Sequence, residues 1–446
     1  MQDSFSRPRL ATAADVRAAS IIVACLPLAA LFGWLMVQRL ATCPKHAKAD
    51  FAQEWTSVRN FWSGRPIYLS MTESVPLYFG SQTRAEVTVN AHPPTGVLVA
   101  IPFGLVEYQR AWWWWNVFSL AALGASLWLL MRPRGLNFPP WTVIPLLAAL
   151  LASNPLAQQV IEGQLNLLLL LLFTSAWVAD RQGWPKTAGM LIGLATAIKL
   201  FPGLLLVYFV ARRQWSAVAA AGVTCLATAC LAMACFGSDV FVVYVRDVMP
   251  QFAHFGENLA NCSLPGLWNK LFVGTAGVAT PLWPEPRLAK LATLASGLAI
   301  AVLCGYRASR ATTIAERDLA FALGVVGALL ASPITWGHAF VLLTLPLLVV
   351  WRQAAAGSGM RWLVVAAIGF LWLVRPNWIW NYLVPGFEAL SLGVAPDGYR
   401  IPAIHALSAL SIGTYGLVAL FAATFAARPS PGSARGNLGG GVGRAA

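Results

Sequence analysis

Charge is scarce in this chain, and acidic charge scarcest: Asp and Glu together number 17 in 446 residues, and all charged residues amount to 11%. Soluble domains carry about 25% charged residues, so soluble classes are set aside. Cysteine is sparse and scattered. Cys225, Cys230 and Cys235 are spaced so as to spread around a helix instead of gathering as metal ligands, and they read as small packing residues. No convincing internal repeat appears, which disfavours a transporter built from symmetric halves. A basic stripe is also missing. The net charge of +14 sits in short clusters between apolar runs, so it signals membrane topology and not a nucleic-acid partner.

What is present is apolar. Hydrophobic residues make up 58% with 20 Trp, and the mean hydropathy is +0.64, which describes an all-α polytopic protein dissolved among membrane lipids. Twelve apolar runs separate, from Ala18–Met36 to Ala403–Phe425. The first follows Arg7, Arg9 and Arg17, is too long for a signal-peptide core, and reads as a retained helix after a cytoplasmic segment 1–17. From that start Arg132 and Arg134, Arg181 and Lys186, Arg212 and Arg213, the cluster Arg307, Arg310 and Arg317, and Arg352 and Arg361 all fall on the cytoplasmic side. A Gly- and Ser-rich tail, 428–446, joins them as a disordered segment, leaving 18–427 as the membrane domain. The outer side receives 38–110, 237–287 and 375–402, with shorter turns at 153–163 and 332–338. His46, His92, His254 and His338 all lie there. So do Cys43 and Cys262, which leaves a disulfide between them open.

The assignment turns on Thr187–Val210. One tilted crossing is long enough, but it would expose every later basic cluster on the outer side. The segment is therefore divided at Lys199 and Pro202, where a charge and a helix breaker lie together. Each half spans only roughly 18 Å at ~1.5 Å per residue, which puts Lys199 below the outer surface in a protein-lined cavity. An ionisable group there is a functional candidate; the bland alternative is a snorkelling side chain.

The first outer segment holds more candidates. Phe51, Trp55, Val58 and Trp62 recur at helical spacing and predict an amphipathic helix with an apolar face for the membrane surface. Asp50 and Glu54 lie one turn apart, and either could present a carboxylate to a substrate at the interface. The apolar stretch 95–106, interrupted by Pro102, reads as re-entrant or interfacial, and Trp112 to Trp115 as an aromatic belt.

The chain also carries an ordered set of motifs: Asp50-Phe51, Gly64-Arg65-Pro66-Ile67-Tyr68, His92-Pro93-Pro94, Gly163-Gln164-Leu165-Asn166, Ala197-Ile198-Lys199-Leu200-Phe201-Pro202, Asn261-Cys262-Ser263-Leu264-Pro265-Gly266, and Ser332-Pro333-Ile334-Thr335-Trp336-Gly337-His338. In order and spacing this set resembles glycosyltransferase family 87. The resemblance implies a GT-C-type fold with about twelve transmembrane helices, a long first outer loop with amphipathic helices, and a donor sugar, often mannose, carried on polyprenyl phosphate. It implies inverting transfer to a glycan or glycolipid acceptor on the outer face of the cytoplasmic membrane. No cofactor or metal is expected, since the lipid-linked sugar is itself a substrate.

By resemblance Asp50 matches the catalytic carboxylate, and Lys199 and His338 match positions suited to the lipid phosphate, His338 also as a proton relay. Arg59 is a nearby cation that would protect the Asp50 charge and join the phosphate site. Gln164, Asn166, Asn261 and Ser263 are candidates for sugar hydroxyls, each equally readable as a helix cap or a satisfied buried polar group. His92 and Glu54 join them on the sugar or acceptor side. His92 stands where the family commonly has Tyr, and Ala339 where a second His is common, which bears on donor or acceptor identity more than on reaction class. A nucleotide-sugar enzyme is disfavoured because no Asp-x-Asp motif, soluble nucleotide domain or large cytoplasmic loop occurs. Arabinofuranosyl transfer is the near alternative. A lipid-glycan transporter, suggested by the short helices and buried Lys199, and an inactive binding homologue are the others.

Overall fold

A computed structural model describes residues 12–42, 49–80, 89–132, 134–251, 255–275, 278–353, 359–373 and 402–429. Cys43, His46, His254, nearly all of the third outer segment and the tail from 430 lie outside these residues. Within them the fold is helical, and the sole β pairing is an isolated bridge between Thr275 and Ala279. The chain begins with α1 (Ala13–Ala41), α2 (Phe51–Trp62), α3 (Met71–Phe79), α4 (Pro94–Val97) and α5 (Tyr108–Met131). It continues through α6 (Val143–Ala152), α7 (Asn154–Glu162), α8 (Asn166–Arg181), α9 (Pro185–Ile198), α10 (Leu206–Ala211) and α11 (Trp215–Phe236).

Five of the described helices are long and apolar enough to cross a membrane: Asp15–Ala41, α5, α11, Pro286–Ser309 and Ala403–Ala426. Counting α6 and α7 as one bent span makes six. The protein is a multi-pass membrane protein. Several other expected crossings are shorter and broken, because Pro202 and Pro346 interrupt the backbone ladder and 3₁₀ turns open their runs at Phe201–Leu205 and Gly337–Leu343. The expected turn at 153–163 is instead the helix α7, which Ser153 starts by accepting from the Leu156 N–H at 3.3 Å and which bends 60° from α6.

Thr187–Val210 is a hairpin. At one end Asp180, near the end of α8, accepts from Tyr208 Oη at 2.6 Å, Arg212 Nη1 at 3.0 Å and Gln214 Nε2 at 3.1 Å. Lys199, at the break, reaches instead the start of α8, where its Nζ donates to Gln164 Oε1 at 2.8 Å. α8 has 16 residues, so the two ends stand about 24 Å apart at ~1.5 Å per residue, and the chain leaves one end and returns to it.

The basic loops collect at that return end. Asp318 accepts from Arg181 and from Trp177 Nε1 and Gln353 Nε2, both at 2.9 Å, while Arg181 and Arg352 donate to the carbonyls of Gly135 and Leu136. Buried charges so paired and hydrogen-bonded escape most of their desolvation cost and lock these loops together. Reporter fusions after Arg181, Arg213 and Arg352 should therefore report one compartment and a fusion near Asn261 the opposite one. A change of side between Arg181 and Arg213 would refute the hairpin.

The apolar face of α2 does not lie on the membrane surface as expected. Phe51, Trp55 and Val58 are buried inside the protein and only Trp62 is substantially exposed. The reason lies in the stretch Leu98–Leu105, a 3₁₀ helix containing Pro102. Carbonyls in and just after that stretch are met by α2: Trp62 Nε1 donates to Ile101, Arg59 Nη1 to Gly104 and Trp55 Nε1 to Val106, at 2.9–3.0 Å. The four adjacent tryptophans of α5, Trp112 to Trp115, divide similarly. Trp113 and Trp114 are exposed as a belt residue should be, whereas Trp112 and Trp115 are buried.

Candidate active site

A cavity of about 650 Å³ opens at the hairpin-tip end of the bundle, lined by Asp50, Gln53, His92, Glu162, Gln164, Lys199, Tyr244, Trp336 and His338 among others. Gly163 is what seats Asp50 in it. This residue ends α7 in the left-handed conformation, φ +63°, and a Cβ here would stand 2.6 Å from the Phe51 Cβ. Only glycine combines that backbone with so close an approach. Its carbonyl accepts from Trp115 Nε1 at 2.6 Å, fixing the turn against α5.

With the turn fixed, Gln164 bridges the two central groups. Its Nε2 donates to Asp50 Oδ2, and its Oε1 accepts from Lys199 Nζ. Gln53, one helical turn after Asp50, donates to Oδ1 at 3.1 Å. One carboxamide thus separates the ammonium from the carboxylate and leaves each available to a ligand. Lys199 also donates to Asn166 Oδ1 at 3.4 Å, and Asn166 Nδ2 meets His338 Nδ1 at 2.9 Å. Burial pushes the Asp50 carboxyl above the usual carboxylate range, opposed by the Gln164 hydrogen bond and by the Lys199 charge.

The His92 segment is tied to the same tip. Thr95 Oγ1 donates to the Ala197 carbonyl, and Gly96 passes so near the Ile198 carbonyl that a Cβ would stand 2.8 Å from it.

Not every candidate reaches the cavity. Arg59 is spent on Gly104 and lies over the Trp55 ring, so the cation that reaches Asp50's partner Gln164 is Lys199 instead. Glu54 is 2% exposed and turned away from the lining, pairing with His92 Nδ1. Asn261 and Ser263 are fully buried and already saturated. Asn261 Oδ1 accepts from Ser263 and from the Thr335 N–H, its Nδ2 donates to the Pro333 carbonyl, and Ser263 Oγ caps the helix Leu264–Phe272 by accepting from the Gly266 N–H. They clasp the loop that delivers His338 and are not placed to meet a sugar hydroxyl. Asn166 likewise sits behind the lining, as the link between Lys199 and His338. Cys262 lines the cavity, while Cys43, its possible partner, lies outside the described residues.

Sequence reasoning passed over Gln53, Gln159, Glu162 and Tyr244. Gln53 was findable from its spacing to Asp50; Tyr244 was not, because its approach to the Ala91 carbonyl is made only by the fold.

The sequence profile of Glycosyltransferase family 87 matches residues 90–333. A polyprenol-phosphate-mannose-dependent alpha-(1-2)-phosphatidylinositol pentamannoside mannosyltransferase of Mycobacterium tuberculosis (strain CDC 1551 / Oshkosh) is 27% identical over 338 residues, covering 72% of each chain. A polyprenol-phosphate-mannose-dependent alpha-(1-2)-phosphatidylinositol mannoside mannosyltransferase of Mycolicibacterium smegmatis (strain ATCC 700084 / mc(2)155) is 30% identical over 47% of each chain. An alpha-(1->3)-arabinofuranosyltransferase of the same M. tuberculosis strain is 26% identical over 39% of this chain and 38% of its own. The profile spans more than half of the sequence and four of the motifs that build or support the cavity: this chain is a member of glycosyltransferase family 87.

Proposed function

We propose that the protein transfers mannose from a polyprenyl-phosphate donor to a glycolipid or glycan acceptor, with inversion, at the outer face of the cytoplasmic membrane. The observation that carries this reading is the Asp50–Gln164–Lys199 bridge inside one cavity. Inverting transfer needs a base for the acceptor hydroxyl and a cation for the departing phosphate, and the bridge holds one of each. Asp50 takes the hydroxyl proton as the acceptor oxygen bonds to the anomeric carbon. The bond from that carbon to the phosphate oxygen breaks with its electron pair, and Lys199 and His338 receive the polyprenyl phosphate. The relatives' dependence on polyprenol-phosphate-mannose supports this donor and sugar. The arabinofuranosyltransferase relative keeps a pentose as the second reading.

The outward orientation follows from the basic loops gathered at the opposite end, by the positive-inside bias. About twelve crossings result if the short helices pair into spans, with 38–110 as the first outer loop.

Lys199 supplies the charge that other transferases obtain from a metal, so transfer should be independent of divalent ions. Purified protein in nanodiscs, given polyprenyl-phosphate-mannose and phosphatidylinositol mannoside acceptors, should form product at the same rate with and without chelator. Transfer from a nucleotide sugar alone would refute the proposal, as would movement of intact lipid-linked sugar between leaflets without release of polyprenyl phosphate.

A further inference from the structure

Two imidazoles face the cavity, and the groups behind them fix their protons differently. Behind His338 the donors run in one direction. Gln159 Nε2 donates to the Gln164 carbonyl, which turns Gln159 Oε1 toward Asn166 Nδ2 at 3.0 Å. Lys199 claims Asn166 Oδ1. Asn166 therefore offers His338 an N–H, so Nδ1 accepts and the ring proton sits on Nε2.

Behind His92 the partner is the opposite kind. Glu54 sets a carboxylate against Nδ1, and since a carboxylate only accepts, the neutral ring is favoured with its proton on Nδ1 and its lone pair on Nε2. The backbone that carries the ring is held on both sides. The His92 N–H donates to Asn90 Oδ1 at 3.0 Å, its carbonyl accepts from Tyr68 Oη at 2.7 Å, and Glu54 Oε2 is steadied by Asn90 Nδ2 at 3.4 Å.

Resting on the reaction proposed above, we infer that the two cavity histidines are opposite tautomers: His338 donates from Nε2 to a phosphate oxygen, and His92 accepts at Nε2 from a hydroxyl of the sugar or acceptor. Glu54 is then a positioning residue. Its burial away from the cavity is what this role requires, since a carboxylate behind an imidazole selects the tautomer without competing for substrate. His92 becomes a specificity-determining residue, because a hydroxyl replaced by hydrogen or fluorine leaves its lone pair unpaired.

The test is nitrogen NMR of ring-labelled histidine in the full-length protein in nanodiscs, at a pH where both rings are neutral, with signals assigned by their loss in His92→Gln and His338→Gln. The expected spectrum has His92 protonated on Nδ1 and His338 on Nε2, and Glu54→Leu releases His92 to the Nε2-protonated form. His92 on Nε2 in the wild type, or His338 on Nδ1, overturns the inference. In turnover, His92→Phe should lower kcat/KM at least about tenfold, and His92→Gln, which retains a carbonyl acceptor, should recover most of it. Equal loss in both, or none in His92→Phe, also overturns it. Failure of the wild type to use any polyprenyl-phosphate sugar would refute the reaction instead, while the tautomers are still decided by the spectrum.

Discussion

Asp50→Asn should abolish transfer while the protein still folds and binds donor. The substitution keeps the shape and removes the basicity, so the loss falls on the chemical step, where general-base catalysis contributes typically ~10²- to 10⁴-fold. Glu54→Gln should cost much less, because Glu54 acts through His92 and is not itself in the cavity lining. The pH profile carries a signed test. Burial raises the Asp50 carboxyl, so the base is ionised only above that raised value and activity is lost as pH falls through it. The acid limb of kcat/KM should therefore lie above the ordinary carboxylate range. An Asp50→Asn enzyme turning over at near wild-type rate, with Glu54→Gln dead, would move the base by one turn and end this assignment.

Lys199→Met should weaken donor binding and turnover together. Its proposed partner is the phosphate in both ground and transition states, so the loss appears in KM as well as kcat, of order 10²-fold or more in kcat/KM for a charge-assisted contact. A second effect follows from the same charge. Lys199 helps hold the Asp50 carboxyl down, so its removal should shift the acid limb to still higher pH. His338→Ala should likewise weaken donor binding, but without a charge to lose its effect should be smaller. Isothermal titration with polyprenyl phosphate separates binding from chemistry. Unchanged affinity in Lys199→Met would show that the lysine serves the fold through Gln164 and Asn166 and does not meet the phosphate.

These expectations depend on features that the sequence reveals unequally. Composition and charge order alone determined that the chain is a helical membrane protein, since apolar runs and basic clusters are local properties of consecutive residues. The break at Lys199 and Pro202 was legible for the same reason: proline removes a backbone donor wherever it stands, and the structure ends α9 at Ile198. The motif order likewise singled out Asp50, Gln164, Lys199 and His338, which the fold brings to one cavity or its immediate frame.

Tertiary structure alone decided which polar residues touch that cavity and which are used up behind it. Arg59 matched the expected cation in sequence, yet the carbonyls around Leu98–Leu105 claim it. Asn261 and Ser263 carried sugar-binding chemistry, yet their polar side-chain atoms are taken up by each other, by the loop before His338 and by the cap of the helix Leu264–Phe272. Glu54 and Asp50 are carboxylates one turn apart, and what separates the proposed base from the proposed positioning residue is that His92 stands between Glu54 and the cavity, whereas Asp50 itself lines the cavity beside Gln164. A side chain's type fixes what it can donate or accept, but its partners come from segments tens or hundreds of residues away, and it is the satisfaction of buried polar groups across those segments that leaves a few free for chemistry.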